Sequence, residues 1–164
     1  MGEKALMGFH ILGLAVSLVI LLPNLFFFLY PPRNMQKGLA KEPVALTVIE
    51  NIGRIGCFLY PLFFGADIAV SLPHAAMYLM LACVLLYYVC WIRFFLGRRE
   101  FSLLFRPLWR IPIPMAVFPA VYFLSLAVLV RSLLMGVAAI CFTLGHIPIS
   151  YMTWKQVKIK GGAQ

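Results

Sequence analysis

Apolar residues along this chain come in blocks of about twenty, divided by short stretches rich in proline, glycine and basic side chains. A helix needs roughly 20 residues to cross a bilayer. The pattern therefore predicts five spans, at about 7–30, 44–64, 73–96, 112–130 and 134–154. The first run is too long for the apolar core of a signal peptide. Its far end is Tyr30-Pro31-Pro32-Arg33 rather than a small-residue cleavage site, so it reads as a retained helix. Pro23 removes a backbone donor inside that run and is expected to kink it. Pro73 suits the first turn of the third helix. The long apolar block 112–154 is broken at Arg131-Ser132 and Gly136, as a tight hairpin of two spans requires.

Composition turns this pattern into a class. Of 164 residues, 63% are hydrophobic and 12% charged, against about 45–50% and about 25% in a soluble domain. A chain this short cannot hide that excess in a core, which excludes a soluble globular fold. Disorder needs the opposite composition. The expectation is an all-α polytopic membrane helix bundle, a single transmembrane domain over 1–164, multi-pass in the cell membrane. The net charge of +9 does not mark a nucleic-acid partner, because the basic residues sit between apolar runs without any nucleic-acid module around them.

They mark orientation instead. Five spans put three segments on one side. The first carries Arg33, Lys37 and Lys41, the second Arg93, Arg98, Arg99, Arg106 and Arg110, and the tail Lys155, Lys158 and Lys160. The other side keeps Lys4 and Arg131. Basic residues favour the cytoplasmic side, so the N-terminus is expected outside and the C-terminus inside. Four or six spans would separate the large basic loop from the basic tail.

Candidate chemistry is sparse. Glu50 and Arg54 lie inside the second span, where each ionisable group costs at least about 2.5–3.5 kcal/mol to insert. Their i, i+4 spacing lets them pair, and Thr47, Glu50, Asn51, Arg54 and Pro61 fall in one stripe that must face protein or water. At 1.5 Å per residue, Asn24, Glu50, Asn51, Arg54, Tyr87 or Tyr88, and His146 fall in one layer of the cytoplasmic half. They come from four helices. Glycines 53 and 56 are expected to form a packing strip away from the charged stripe, and Gly8, Gly13 and Ala15 a second one. Phe26, Phe27, Phe28, Tyr30, Trp91, Trp109 and Trp154 read as an interfacial aromatic belt.

Other chemistries lack support. The cysteines (Cys57, Cys83, Cys90, Cys141) form no CxxC pair, and His10, Asp67 and His74 have no ligand spacing. No nucleophile elbow or phosphate-binding glycine loop is present. Neither a metal nor a cofactor is expected. The functional expectation is a protein that binds or transports a small amphiphilic or anionic molecule at the Glu50/Arg54 layer. In that reading Arg54 holds an anionic group, Glu50 neutralises it or carries a proton, and the Pro23 and Pro148 kinks offer freed carbonyls as ligands. The alternatives are a lipid-modifying enzyme using Glu50 or His146 as acid/base and an assembly subunit whose ion pair only fixes packing. The expected partners are the lipid bilayer and a small-molecule or lipid ligand, with a homo-oligomer open as well.

Overall fold

A computed structural model describes residues 8–35, 39–64 and 74–161. Among these residues the chain is all helical apart from loops, with five α-helices and no strand. They are α1 (Ile11–Leu29), α2 (Val44–Phe64), α3 (His74–Leu96), α4 (Pro114–Leu129) and α5 (Leu133–Gly161), with a short 3-10 segment at Phe101–Phe105 before α4. The stretches Ile11–Leu29, Ala75–Leu96 and Leu133–Ile159 are long and apolar enough to cross a membrane, and α4 is a shorter apolar helix. These are the marks of a membrane protein. Pro73 and Asp67 lie outside the described residues.

The helices form a ring. The heaviest packing is α2 on α5, then α3 on α4, α4 on α5 and α1 on α2, with a lighter join between α1 and α3. Glycine sets the closest approaches. A Cβ on Gly53 would lie 2.6 Å from Phe142 Cα and 2.7 Å from the Ala138 carbonyl oxygen, so α2 and α5 touch backbone to backbone there. Gly53 shares the buried face of α2 with Glu50, Cys57 and Pro61. The packing strip and the acidic side chain are therefore one stripe at i, i+3 spacing, where two separate faces were expected.

Each end of α1 is fastened differently. At one end the backbone N–H groups of Gly8 and His10 donate to the Phe63 and Leu62 carbonyls, 3.2 and 2.9 Å away. These are last-turn carbonyls of α2 that have no partner inside their own helix. Further along, three tyrosines reach α1. Tyr88 donates to the Val19 carbonyl at 2.8 Å, Tyr122 to the Val16 carbonyl at 2.7 Å and Tyr87 to Asn24 Oδ1 at 3.2 Å. Val19 lies four residues before Pro23, so its carbonyl is the one that the proline leaves without a helical donor. The Tyr88 hydroxyl supplies that donor, so the Val19 carbonyl freed by Pro23 is not available to a ligand.

The three basic segments gather at one end of the ring. Arg33 bridges to the segment after α3 on both sides of Glu100: its N–H donates to the Arg99 carbonyl at 2.8 Å and its carbonyl accepts from the Phe101 N–H at 3.2 Å. Gln156 of α5 accepts from Ala40 N–H at 2.6 Å. Arg98 and Arg99 adopt left-handed backbone (φ 58° and 60°) to turn the chain out of α3. Arg99 lies over the Tyr30 ring, and Lys155 and Lys158 over Tyr151 and Trp154. The aromatic belt reading fails at Trp91. That ring is only 5% exposed and packs edge-on against Phe27, Tyr87 and Phe94 inside the core.

Candidate functional site

The ring encloses a cavity of about 410 Å³ near its basic end, walled by all five helices. Its apolar walls include Ile20, Phe27, Trp91, Phe123 and Phe142, and Leu104 and Phe105 of the 3-10 segment contribute to them. Of the residues expected in the polar layer, Asn24, Arg54, Tyr87 and His146 reach it. They come from α1, α2, α3 and α5.

Glu50 stands behind this surface. Its side chain is 8% exposed, and its Oε1 meets both Arg54 Nη2 and, at 2.9 Å, His146 Nδ1. Sequence spacing pointed to the Arg54 contact, whereas the His146 contact spans 96 residues. It depends on Gly145, where a Cβ would fall 2.5 Å from Glu50 Cβ and 2.7 Å from Glu50 Cα. Only a glycine lets α5 come close enough for its neighbour His146 to reach the carboxylate. The His146 ring also stacks on Phe142, with centroids 4.8 Å apart and 19° between planes. An ionised carboxylate only accepts, so His146 donates from Nδ1 and, in the neutral ring, presents Nε2 as an acceptor. The Arg54 side chain is 51% exposed, which leaves guanidinium donors beyond those used on Glu50.

Asn51 is not brought to the cavity. It is exposed and lines no part of the cavity, although it directly follows Glu50. One residue is a 100° rotation, and the buried face of α2 is too narrow to include both. Of the two tyrosines, Tyr87 lines the cavity and Tyr88 caps Val19.

Two lining residues escaped the sequence reading. Trp91 was assigned to the interface by its position near a helix end. Its indole N–H is buried, with the Tyr87 hydroxyl as its polar neighbour. Ser150 lies one turn after His146 and also lines the cavity. Ser17, Thr47, Ser125, Thr143 and Thr153 each donate to a backbone carbonyl. Among the described α-helical serines and threonines, Ser150 alone makes no side-chain hydrogen bond. The i, i+4 spacing from His146 was the available signal, and an unremarkable serine in an apolar helix hides it.

Among the described residues no three histidine, cysteine or acidic side chains are grouped to hold a metal. Comparison with protein-family models, with curated proteins and with solved structures returns no match to this chain.

Proposed function

We propose that this protein crosses the cell membrane five times, with its N-terminus outside and its C-terminus inside, and binds a small amphiphilic molecule in the cavity between its helices. The observation that carries this reading is convergence. Four helices each send a polar side chain (Asn24, Arg54, Tyr87, His146) into one mostly apolar cavity. Polar groups inside a membrane are costly, and a chain that needed them only for packing would pair them with one another. Here Glu50 Oε1 meets both Arg54 and His146, while Arg54, His146 and Ser150 keep unused hydrogen-bonding capacity beside an apolar space. A small number of placed polar groups in an apolar pocket is the usual form of a ligand site.

The orientation is supported by the basic segments meeting at one end of the ring. The reading is tested by purifying the protein in mild detergent and identifying bound small molecules by native mass spectrometry. A bound species lost in the double variant Glu50→Leu/Arg54→Leu supports it. A folded protein that retains nothing, and binds none of a panel of membrane amphiphiles, refutes it. Transport would add movement of that ligand across a vesicle membrane.

The Glu50–His146 contact favours a second reading, as an enzyme. A carboxylate that orients an imidazole leaves Nε2 able to act as a base toward the cavity. Turnover of a bound ester, abolished in His146→Gln with binding kept, would establish that reading over simple binding.

A further inference from the structure

We propose that the protein holds an anionic glycerophospholipid in an open recess on its outer surface, at the basic ends of α1 and α3, with the lipid phosphate on Arg99 and an acyl chain along Phe26 and Phe95. The recess is lined by Phe26, Tyr30, Phe95 and Arg99. None of these four lines the cavity between the helices, so the site is separate from the one described above.

Arg99 is a cation without a matching anion. Its side chain is partly buried and lies over the Tyr30 ring, 5.7 Å from the centroid. The acidic side chains described at this end are Glu42 and Glu100, yet the salt bridges among the described residues all meet at Glu50. A guanidinium carries five N–H donors in a planar fork that matches a phosphate. Arg98, its neighbour, is exposed and does not line the recess.

The backbone fixes Arg99 in place. Its N–H donates to the Phe94 carbonyl at 3.0 Å, closing the last turn of α3, and its carbonyl accepts from the Arg33 N–H at 2.8 Å. Arg98 and Arg99 both take left-handed backbone, which glycine adopts freely and other residues only at a cost. Gly97 precedes both positions. The turn by itself favours glycine at 98 and 99, so it does not account for arginine there.

Beneath the guanidinium the surface is apolar. Phe26 is exposed, and Leu22, one turn before it in α1, and Ile92, about one turn before Phe95 in α3, continue that exposed surface away from the basic end. The helix from Tyr30 back to Leu22 is about 12 Å long, most of one leaflet's half of a roughly 30 Å hydrocarbon core. The join between α1 and α3 is light, which leaves the seam open to a chain. A free phosphate would use Arg99 and leave the apolar wall empty. A zwitterionic lipid would bring its own cation up to Arg98 and Arg33. An anionic phosphodiester with acyl chains satisfies both parts of the recess.

The test is native mass spectrometry of the full-length protein in detergent, titrated with phosphatidylglycerol or phosphatidylcholine and read as the affinity of the first lipid bound. Phosphatidylglycerol should bind saturably and more tightly than phosphatidylcholine. Arg99→Gln should weaken it about tenfold or more, as loss of charged hydrogen bonds does. Arg98→Gln removes the same charge and should weaken it by about fivefold at most, the effect of one basic residue near an anionic surface. Equal losses in the two variants would show diffuse attraction and overturn the assignment. So would equal affinity for the two lipids, or displacement of phosphatidylglycerol by an equal concentration of inorganic phosphate, which would mark a free-anion site. Binding that survives Arg99→Gln and is lost in Glu50→Leu/Arg54→Leu would put the lipid in the cavity instead and also overturn it. Circular dichroism and thermal melts establish that each variant is folded. Where Arg99→Gln does not fold, Arg99→Lys gives the test: it keeps the charge and loses the planar fork, so it should weaken phosphatidylglycerol binding while Arg98→Lys leaves it unchanged, and equal behaviour of these two variants overturns the assignment.

Discussion

Gly145→Ala puts the helix contact behind the site under direct strain. The added Cβ would sit 2.5 Å from Glu50 Cβ and 2.7 Å from both Glu50 Cα and Glu50 N, against about 3.5–4.0 Å for carbon atoms in contact. Because Glu50 backbone atoms are among those struck, no side-chain rotation relieves the overlap, and α2 and α5 must part by about 1 Å. The His146–Glu50 contact, now 2.9 Å, would stretch to nearly 4 Å and cease to be a hydrogen bond. Overpacking costs about 1–3 kcal/mol, and a hydrogen bond to a charged group about 1.5–3 kcal/mol. Alanine returns about 1 kcal/mol of helix propensity. The net expectation is a loss of about 2 kcal/mol or more, read as a lower melting temperature in detergent with weaker ligand binding. Gly136→Ala is the internal control. Its Cβ meets nothing within 4 Å, so the same substitution in the same helix should be neutral or stabilise by about 0.4–1 kcal/mol. A Gly145→Ala protein that melts and binds like the unmodified protein would refute the backbone contact and the role assigned to it.

Reporter fusions in loop 97–111 and after residue 160 should both report the cytoplasm, and a fusion in loop 131–132 the opposite side. Any other result sinks the five-span orientation. Arg54→Leu and Glu50→Leu should each lower the melting temperature more than the double change does, because each single variant strands one charge. Additive losses would argue that the two side chains do not interact. Tyr88→Phe should cost about 1–3 kcal/mol by leaving the Val19 carbonyl without a donor, and Pro23→Ala should cancel that cost by restoring a backbone N–H four residues on. A Tyr88→Phe penalty of the same size in both backgrounds would show that Tyr88 stabilises the fold by other means. Tyr122→Phe should cost less than Tyr88→Phe, since the Val16 carbonyl still has the Ile20 N–H within its own helix.

What was legible in the chain is what depends on depth. Hydropathy placed the boundaries of α2 at Val44 and Phe64, as found, since both limits are set by where apolar residues begin and end. The same criterion stopped the fifth helix at Trp154, whereas α5 continues to Gly161. Hydropathy falls at Lys155, but helix propensity does not, and Lys155 and Lys158 lie over Tyr151 and Trp154 one turn back. Depth also selected Asn24, Glu50, Arg54, Tyr87 and His146 as neighbours in one layer.

Azimuth was not legible, and it decides which of those residues share a site. Glu50 and Asn51 have nearly equal depth and similar chemistry, yet one is buried and the other exposed. The rotation of α2 is fixed by where α5 approaches it, and that approach is made by Gly53 and Gly145, residues without side chains. The strongest packing signal in the chain was thus carried by its least conspicuous residues. Their placement also explains why the ion pair is a triad. Rotating α2 so that Gly53 meets Phe142 brings Glu50 under Gly145, and the next residue on α5 is His146. Arg54, one turn further along α2, is left bordering the cavity. The contact that holds the two helices together therefore buries the carboxylate and leaves the guanidinium and the imidazole facing the open space. A purely structural pair would gain nothing from that division.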